Sequence, residues 1–171
     1  MNLKLSHLLA LAVALASASA LAQLKIGVIA SSTGATAVVG IPQKNSAALL
    51  PKKLGDFTVE YFVFDDASDA TQSVILVKKL IAEHKIDALI GPSGSPNSVS
   101  VVPIVAEAGT PMLAPVGATA VVLPMDDKKR WVFKTTQNDG LIAEALVGHM
   151  VKTGVKTVGI IGFNEIGRAH V

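Results

Sequence analysis

Cysteine is absent from the 171 residues, which excludes disulfides, thiolate metal sites and thiol catalysis. Charge is scarce as well. Asp, Glu, Lys and Arg make up 16% of the chain against 50% hydrophobic residues, too apolar a balance for a disordered tail and enough for one compact core. The formal net charge is +2 and no basic run is longer than Lys128-Lys129-Arg130, so nucleic acid and a polybasic membrane patch both lack an electrostatic footprint. There is no GxxxxGK[ST] phosphate loop, no GxGxxG dinucleotide fingerprint and no GxSxG nucleophile elbow. His7, His84, His149 and His170 are scattered, and His84 and His149 read as solvated helix ends. Asp65, Asp66 and Asp69 lie close together but lack the glycine and terminal glutamate of a calcium loop, so they read as strand-end and helix-cap groups. No catalytic residue, metal ligand or cofactor is therefore assigned.

What is present starts with a leader. Lys4 precedes an apolar stretch from Leu8 to Ala16, and small residues follow down to Ala20-Leu21-Ala22. This pattern predicts a secretory signal cleaved after Ala22, because the apolar core is shorter than the roughly 20 residues a spanning helix needs. The mature protein is expected outside the cytoplasm.

From Leu24 onward, short β-branched apolar runs alternate with helical periods, which predicts βαβ units and a parallel sheet. Strands are expected at Leu24 to Ala30, Thr58 to Phe64, Asp87 to Gly91, Pro111 to Ala114, Trp131 to Lys134 and Thr157 to Phe163. Helices are expected at Pro42 to Leu54, Asp69 to His84, Asn97 to Ala108 and Gly140 to Lys152, the third bent at Pro103. The fold class is α/β, a doubly wound parallel sheet, and such sheets bind ligands beyond the carboxyl ends of their strands.

Three loops therefore carry the functional reading: Ser31-Ser32-Thr33-Gly34, Pro92 to Ser98, and Pro115 to Thr119. They are rich in hydroxyls, glycines and backbone donors and hold no charged side chain. Ser95-Pro96 is a helix-start signal, which would aim free N–H groups at the cleft as a seat for a carboxylate.

The segments KIGVIASSTGATAVVG, VFDDASDATQSV, ALIGPSGSPNSV, EAGTPMLAPVGATA and KRWVFKTTQND, in this order and spacing, resemble the substrate-binding proteins of branched-chain amino acid ABC transporters, which are type I periplasmic binding proteins. The resemblance covers Gln23 to Asn164. It implies a periplasmic protein that closes two α/β lobes on one small carboxylate-bearing solute, a branched-chain or related amino acid or an aromatic acid. It further implies delivery to a membrane permease with no catalysis. By position it implies ligand contacts at Ser95 and at the backbone of Val116 and Ala118, with Ser93, Thr33 and Thr119 beside them. Ala118 stands where relatives often have a hydroxyl, and Val39 stands where some place an aromatic residue in the first loop. Ser68 and Gly94 stand where some relatives have a disulfide.

The resemblance divides the chain into a leader (1–22), an N-terminal ligand-binding lobe (23–135) and the start of a second lobe (136–164). Residues 165–171 depart from the family. One set of codons for this heptapeptide resembles a short-read sequencing adapter in frame, so the tail is read as an artefact in place of a longer continuation. A ligand-sensing domain of a receptor or two-component system is the alternative role on the same lobe. A secreted hydrolase or dehydrogenase would need a nucleophile with its base, or a phosphate fingerprint.

Overall fold

The apolar run at the mature N-terminus forms β1 (Gln23–Ile29), which becomes the axis of the sheet. The computed structural model describes residues 23–160, so the leader, residues 161–163 of the last expected strand and the tail lie outside the described residues. After β1 come α1 (Ala37–Ala47), β2 (Lys53–Leu54), β3 (Phe57–Phe64) and α2 (Ala70–Lys79), which continues as a π-turn over Leu80–His84. Then follow β4 (Ala88–Ile90), α3 (Ser95–Ala108), β5 (Met112–Ala114), β6 (Val132–Lys134) and α4 (Asp139–Thr153). The sheet order is β2-β3-β1-β4-β5-β6. All pairings are parallel except the short β2–β3 hairpin.

Because β1 pairs β3 on one side and β4 on the other, the order reverses between β1 and β4. That is the position where an open α/β sheet leaves a crevice beyond its carboxyl ends. One face of the sheet carries Ile29, Leu89, Met112 and Val132 into a core closed by Val77 and Leu80 of the second helical segment and by Val101 and Val105 of α3. Gly27 lets those residues close in, since a β-carbon there would lie 2.9 Å from both Ile86 and Leu80 side chains. The opposite face is covered by α1 in part, and Leu113 and Phe133 on it stay 40% and 58% exposed.

The structure corrects three sequence expectations. The first helix starts at Ala37, not Pro42, so Pro42 sits inside it. The carbonyl deprived of its partner by Pro42 is that of Val38, which is 77% exposed and can bond water instead. The stretch expected to finish that helix instead turns at Gly55-Asp56 and pairs β2 with β3. The last expected strand has no strand geometry over residues 155–160, which lie exposed with no neighbouring strand among the described residues to pair with. The third helix runs unbroken through Pro103, because Val99 and Pro103 both face solvent. No residue of α4 is buried, and among the described residues no helix is long and apolar enough to cross a membrane.

Candidate functional site

The loops after β1, β4 and β5 all leave the same edge of the sheet, since these strands are neighbours and parallel. Gly91 makes the closest approach. Its φ is +95°, and a β-carbon on it would run into the carbonyl oxygen of Ile29. Two residues on, Ser93 Oγ accepts the Ser31 N–H at 3.0 Å, tying the loop after β1 to the loop after β4 across the point of strand reversal. Ser93 is buried, and its oxygen accepts this internal bond. Ser31 is also fully buried, and its own hydroxyl has no hydrogen-bond partner among the described residues.

Helix α3 opens at Ser95, two residues before the expected Asn97. Gly94, in extended geometry, is the cap and Ser95 the first helical residue, so no side chain caps the helix. Among the described residues neither the Ser95 N–H, the Asn97 N–H nor the Ser95 hydroxyl is hydrogen-bonded. The first-turn donors of a fourteen-residue helix are thus left open at the rim, where the positive end of its dipole favours an anion. Ser98 Oγ donates to the Pro92 carbonyl at 2.9 Å and fixes the entry into the turn.

The β5 loop is held from the other side. Thr136 Oγ1 donates to the Val116 carbonyl, and the Asp139 N–H donates to the Gly117 carbonyl at 3.1 Å. Val116 buries its side chain in the core, so only its backbone is available to a ligand. Ala118 precedes a 3-10 turn over Thr119–Val121, and Thr119 is half-buried at its start. The carboxylate of Asp139 lies against Gly117 in the space a β-carbon there would need. It makes no hydrogen bond or ion pair among the described residues. Sequence reading missed Asp139, because an acid in the first turn of a helix is ordinary. The signal was Gly117 itself, a glycine in a loop that needs no positive φ.

In the first loop, Thr33 is exposed, its N–H donating to Asp65 Oδ1 at 3.3 Å and its carbonyl accepting from Ser68 Oγ at 2.7 Å. Val39 is on α1 instead of in the loop, exposed on the first helical turn, because the helix begins before it. The three aspartates behave as strand-end and cap groups. Asp69 caps α2 by accepting from the Gln72 N–H at 2.9 Å. Asp66 is fully buried and accepts from Ser73 Oγ at 2.6 Å and Asn97 Nδ2 at 2.8 Å. Asp65 accepts from Ser32 Oγ at 2.8 Å and the Ala67 N–H at 2.9 Å.

Partial burial pushes the Asp65 carboxyl up, but the bonds from Ala67, Ser32 and Thr33 together hold it below its ordinary value. A folded value below the unfolded one gives stabilisation that is present above about pH 4 and lost as pH falls through the lower folded value. Thermal melts from pH 5 to about pH 3 should therefore show a steeper loss in the native protein than in Asp65→Asn. Parallel curves would remove Asp65 from the acid limb.

A family described as periplasmic binding protein matches residues 23–168. No curated protein matches the sequence. Among solved structures, an extracellular ligand-binding receptor from Rhodopseudomonas palustris HaA2 is 42% identical with a TM-score of 0.76, covering 78% of this chain and 37% of its own. A solute-binding protein of an ABC transporter from R. palustris, in complex with 4-hydroxybenzoate, is 24% identical with a TM-score of 0.67, covering 77% of this chain and 36% of its own. A leucine-binding protein from Thermotoga maritima MSB8 is 24% identical with a TM-score of 0.66, covering 76% of this chain and 37% of its own. The chain thus spans little more than a third of the length of these proteins.

Proposed function

The chain belongs to the periplasmic binding protein family, and from that premise we propose that it forms the carboxylate-gripping lobe of an extracytoplasmic solute-binding protein serving an ABC-transporter permease. The observation that carries this reading is the uncapped start of α3 at the strand reversal, where the Ser95 hydroxyl and the N–H groups of Ser95 and Asn97 are all without a hydrogen-bond partner among the described residues. Uncharged donors at a helix N-terminus hold an acid group firmly without a counter-cation. The role is binding without chemistry, the second lobe closing over the solute. Structural neighbours include a protein in complex with 4-hydroxybenzoate and a leucine-binding protein, and both of those solutes carry the carboxylate that this reading calls for.

Within this class Asp139 favours an amino acid over a plain acid. An exposed carboxylate lying against the β5 loop attracts an ammonium group and repels a carboxylate that has no ammonium beside it. A branched-chain or related aliphatic amino acid is the reading, with Val116 and Ala118 offering backbone groups as further contacts.

Titration calorimetry on the protein expressed from its full reading frame, with L-leucine and 4-hydroxybenzoate as probes, tests both steps. Ser95→Ala should weaken the bound probe by about 1 to 3 kcal/mol, the scale of a lost hydrogen bond to a charged group. Unchanged affinity would remove Ser95 from the site, and tighter binding of 4-hydroxybenzoate than of leucine would overturn the amino-acid reading.

A further inference from the structure

The turn between β3 and α2 holds two consecutive non-glycine residues in the left-handed region, Ala67 at φ 53° and Ser68 at φ 63°. L-residues with side chains pay for that conformation, and a pair in succession persists only where surrounding bonds over-determine it. Here they do. Asp65 Oδ1 accepts from the Ala67 N–H at 2.9 Å, Asp66 Oδ1 from the Ser68 N–H at 3.1 Å, and the Asp69 N–H donates to the Asp66 carbonyl at 2.9 Å.

This costly geometry places one hydroxyl at the centre of the first loop. Ser68 Oγ donates its single proton to the Thr33 carbonyl at 2.7 Å. It accepts the Thr36 N–H at 3.0 Å and contacts Thr36 Oγ1 at 2.7 Å, so Thr36 must supply the proton of that last bond. Gly34, at φ +80°, lets the turn lie against the loop, since a β-carbon there would meet the Ala67 carbonyl oxygen and, at 2.8 Å, Ser68 Oγ. Thr33, Gly34 and Ala35 are all exposed, so their order depends on such external ties and not on burial.

We propose that Ser68 is a positioning residue for the solute site, its hydroxyl holding the Thr33–Thr36 loop in the binding geometry before the solute arrives. This rests on the solute-binding reading above. A loop ordered in advance does not lose that freedom on binding, so the affinity includes the benefit of the clamp. A merely structural role predicts something different: binding would then follow the stability of the turn, whichever residue supplied it.

The test separates hydroxyl from strain in the protein expressed from its full reading frame. Ser68→Ala removes the hydroxyl and keeps the strain. Ser68→Gly removes the hydroxyl and relieves the strain, while Ala67→Gly relieves strain and keeps the hydroxyl. Calorimetry with L-leucine and 4-hydroxybenzoate should show roughly five- to tenfold weaker binding for both Ser68 variants and native affinity for Ala67→Gly. Amide exchange at residues 33–37 should accelerate in both Ser68 variants alone, and Ser68→Gly should melt no lower than Ser68→Ala. Native affinity in Ser68→Gly, or lost affinity in Ala67→Gly, overturns the proposal. If the native protein binds neither probe, the amino-acid reading falls instead, and the clamp is then decided by exchange, unchanged rates in Ser68→Gly overturning it.

Discussion

Gly91→Ala is expected to destabilise the lobe by about 3 to 5 kcal/mol, enough to remove a large part of the stability of an ordinary domain. Two costs coincide at this position. At φ +95° any side chain strains the backbone, and the added β-carbon would overlap the carbonyl oxygen of Ile29. The obstacle is backbone of the neighbouring central strand, so no rotamer change relieves it. Flipping Gly91 to a negative φ would endanger its N–H bond to the Leu113 carbonyl, at 2.9 Å, which joins β4 to β5. The control is Gly55→Ala, where φ is +58° but nothing lies within 4 Å of the added carbon. That change should cost only the left-handed penalty, about 1 to 2 kcal/mol. Denaturant unfolding of the two variants measures the difference. Equal losses would show that close packing at the strand reversal contributes nothing, and that Gly91 is required by its φ alone.

The same close packing explains which parts of the molecule could be read in advance. Central parallel strands are covered on both faces, so they are uninterrupted apolar runs, and Leu24 to Ala30 and the stretch around Leu89 announced themselves. The strand reversal followed, and with it the three loops. The start of α1 was hidden because Pro42 imitates a first helical residue, and only the exposure of Val38 shows why a proline is tolerated five residues further in. The β2–β3 hairpin was marked by Gly55-Asp56, a turn signal overridden by the apolar period on either side. Within the site, residue type could not separate Ser93 from Ser95. The fold buries Ser93 and has its oxygen accept the Ser31 N–H, whereas Ser95 is half-buried and its hydroxyl is unbonded among the described residues. Asp139 is distant in sequence from the loop it lies against, and no local pattern connects a first-turn acid to a glycine on another element.

Asn97→Ala is expected to cost about 3 to 4 kcal/mol and to weaken solute binding as well, because Asn97 joins the buried carboxylate of Asp66 to the start of α3. Its Nδ2 donates one proton to Asp66 Oδ2 and the other to Ser73 Oγ, both at 2.8 Å. Asp66, Ser73 and Asn97 are all buried, so water cannot replace the lost donor without a rearrangement of α2 against α3. Ser73 Oγ would still serve the carboxylate at 2.6 Å, but a negative oxygen left with one fewer donor in a dry interior is the expensive case. The origin of the loss can be isolated by Asp66→Asn. If the unpaired charge is the main cost, Asp66→Asn combined with Asn97→Ala should be less damaging than the sum of the single changes, with a coupling of about 1 to 3 kcal/mol by denaturant unfolding. Strict additivity would mean that Asn97 acts by filling space and not by its amide. The binding effect follows from place: Asn97 lies two residues beyond Ser95 in the same first turn, so loosening its amide loosens the donors proposed to hold the solute. A variant that loses stability yet holds L-leucine as tightly as the native protein would uncouple the buried network from the rim.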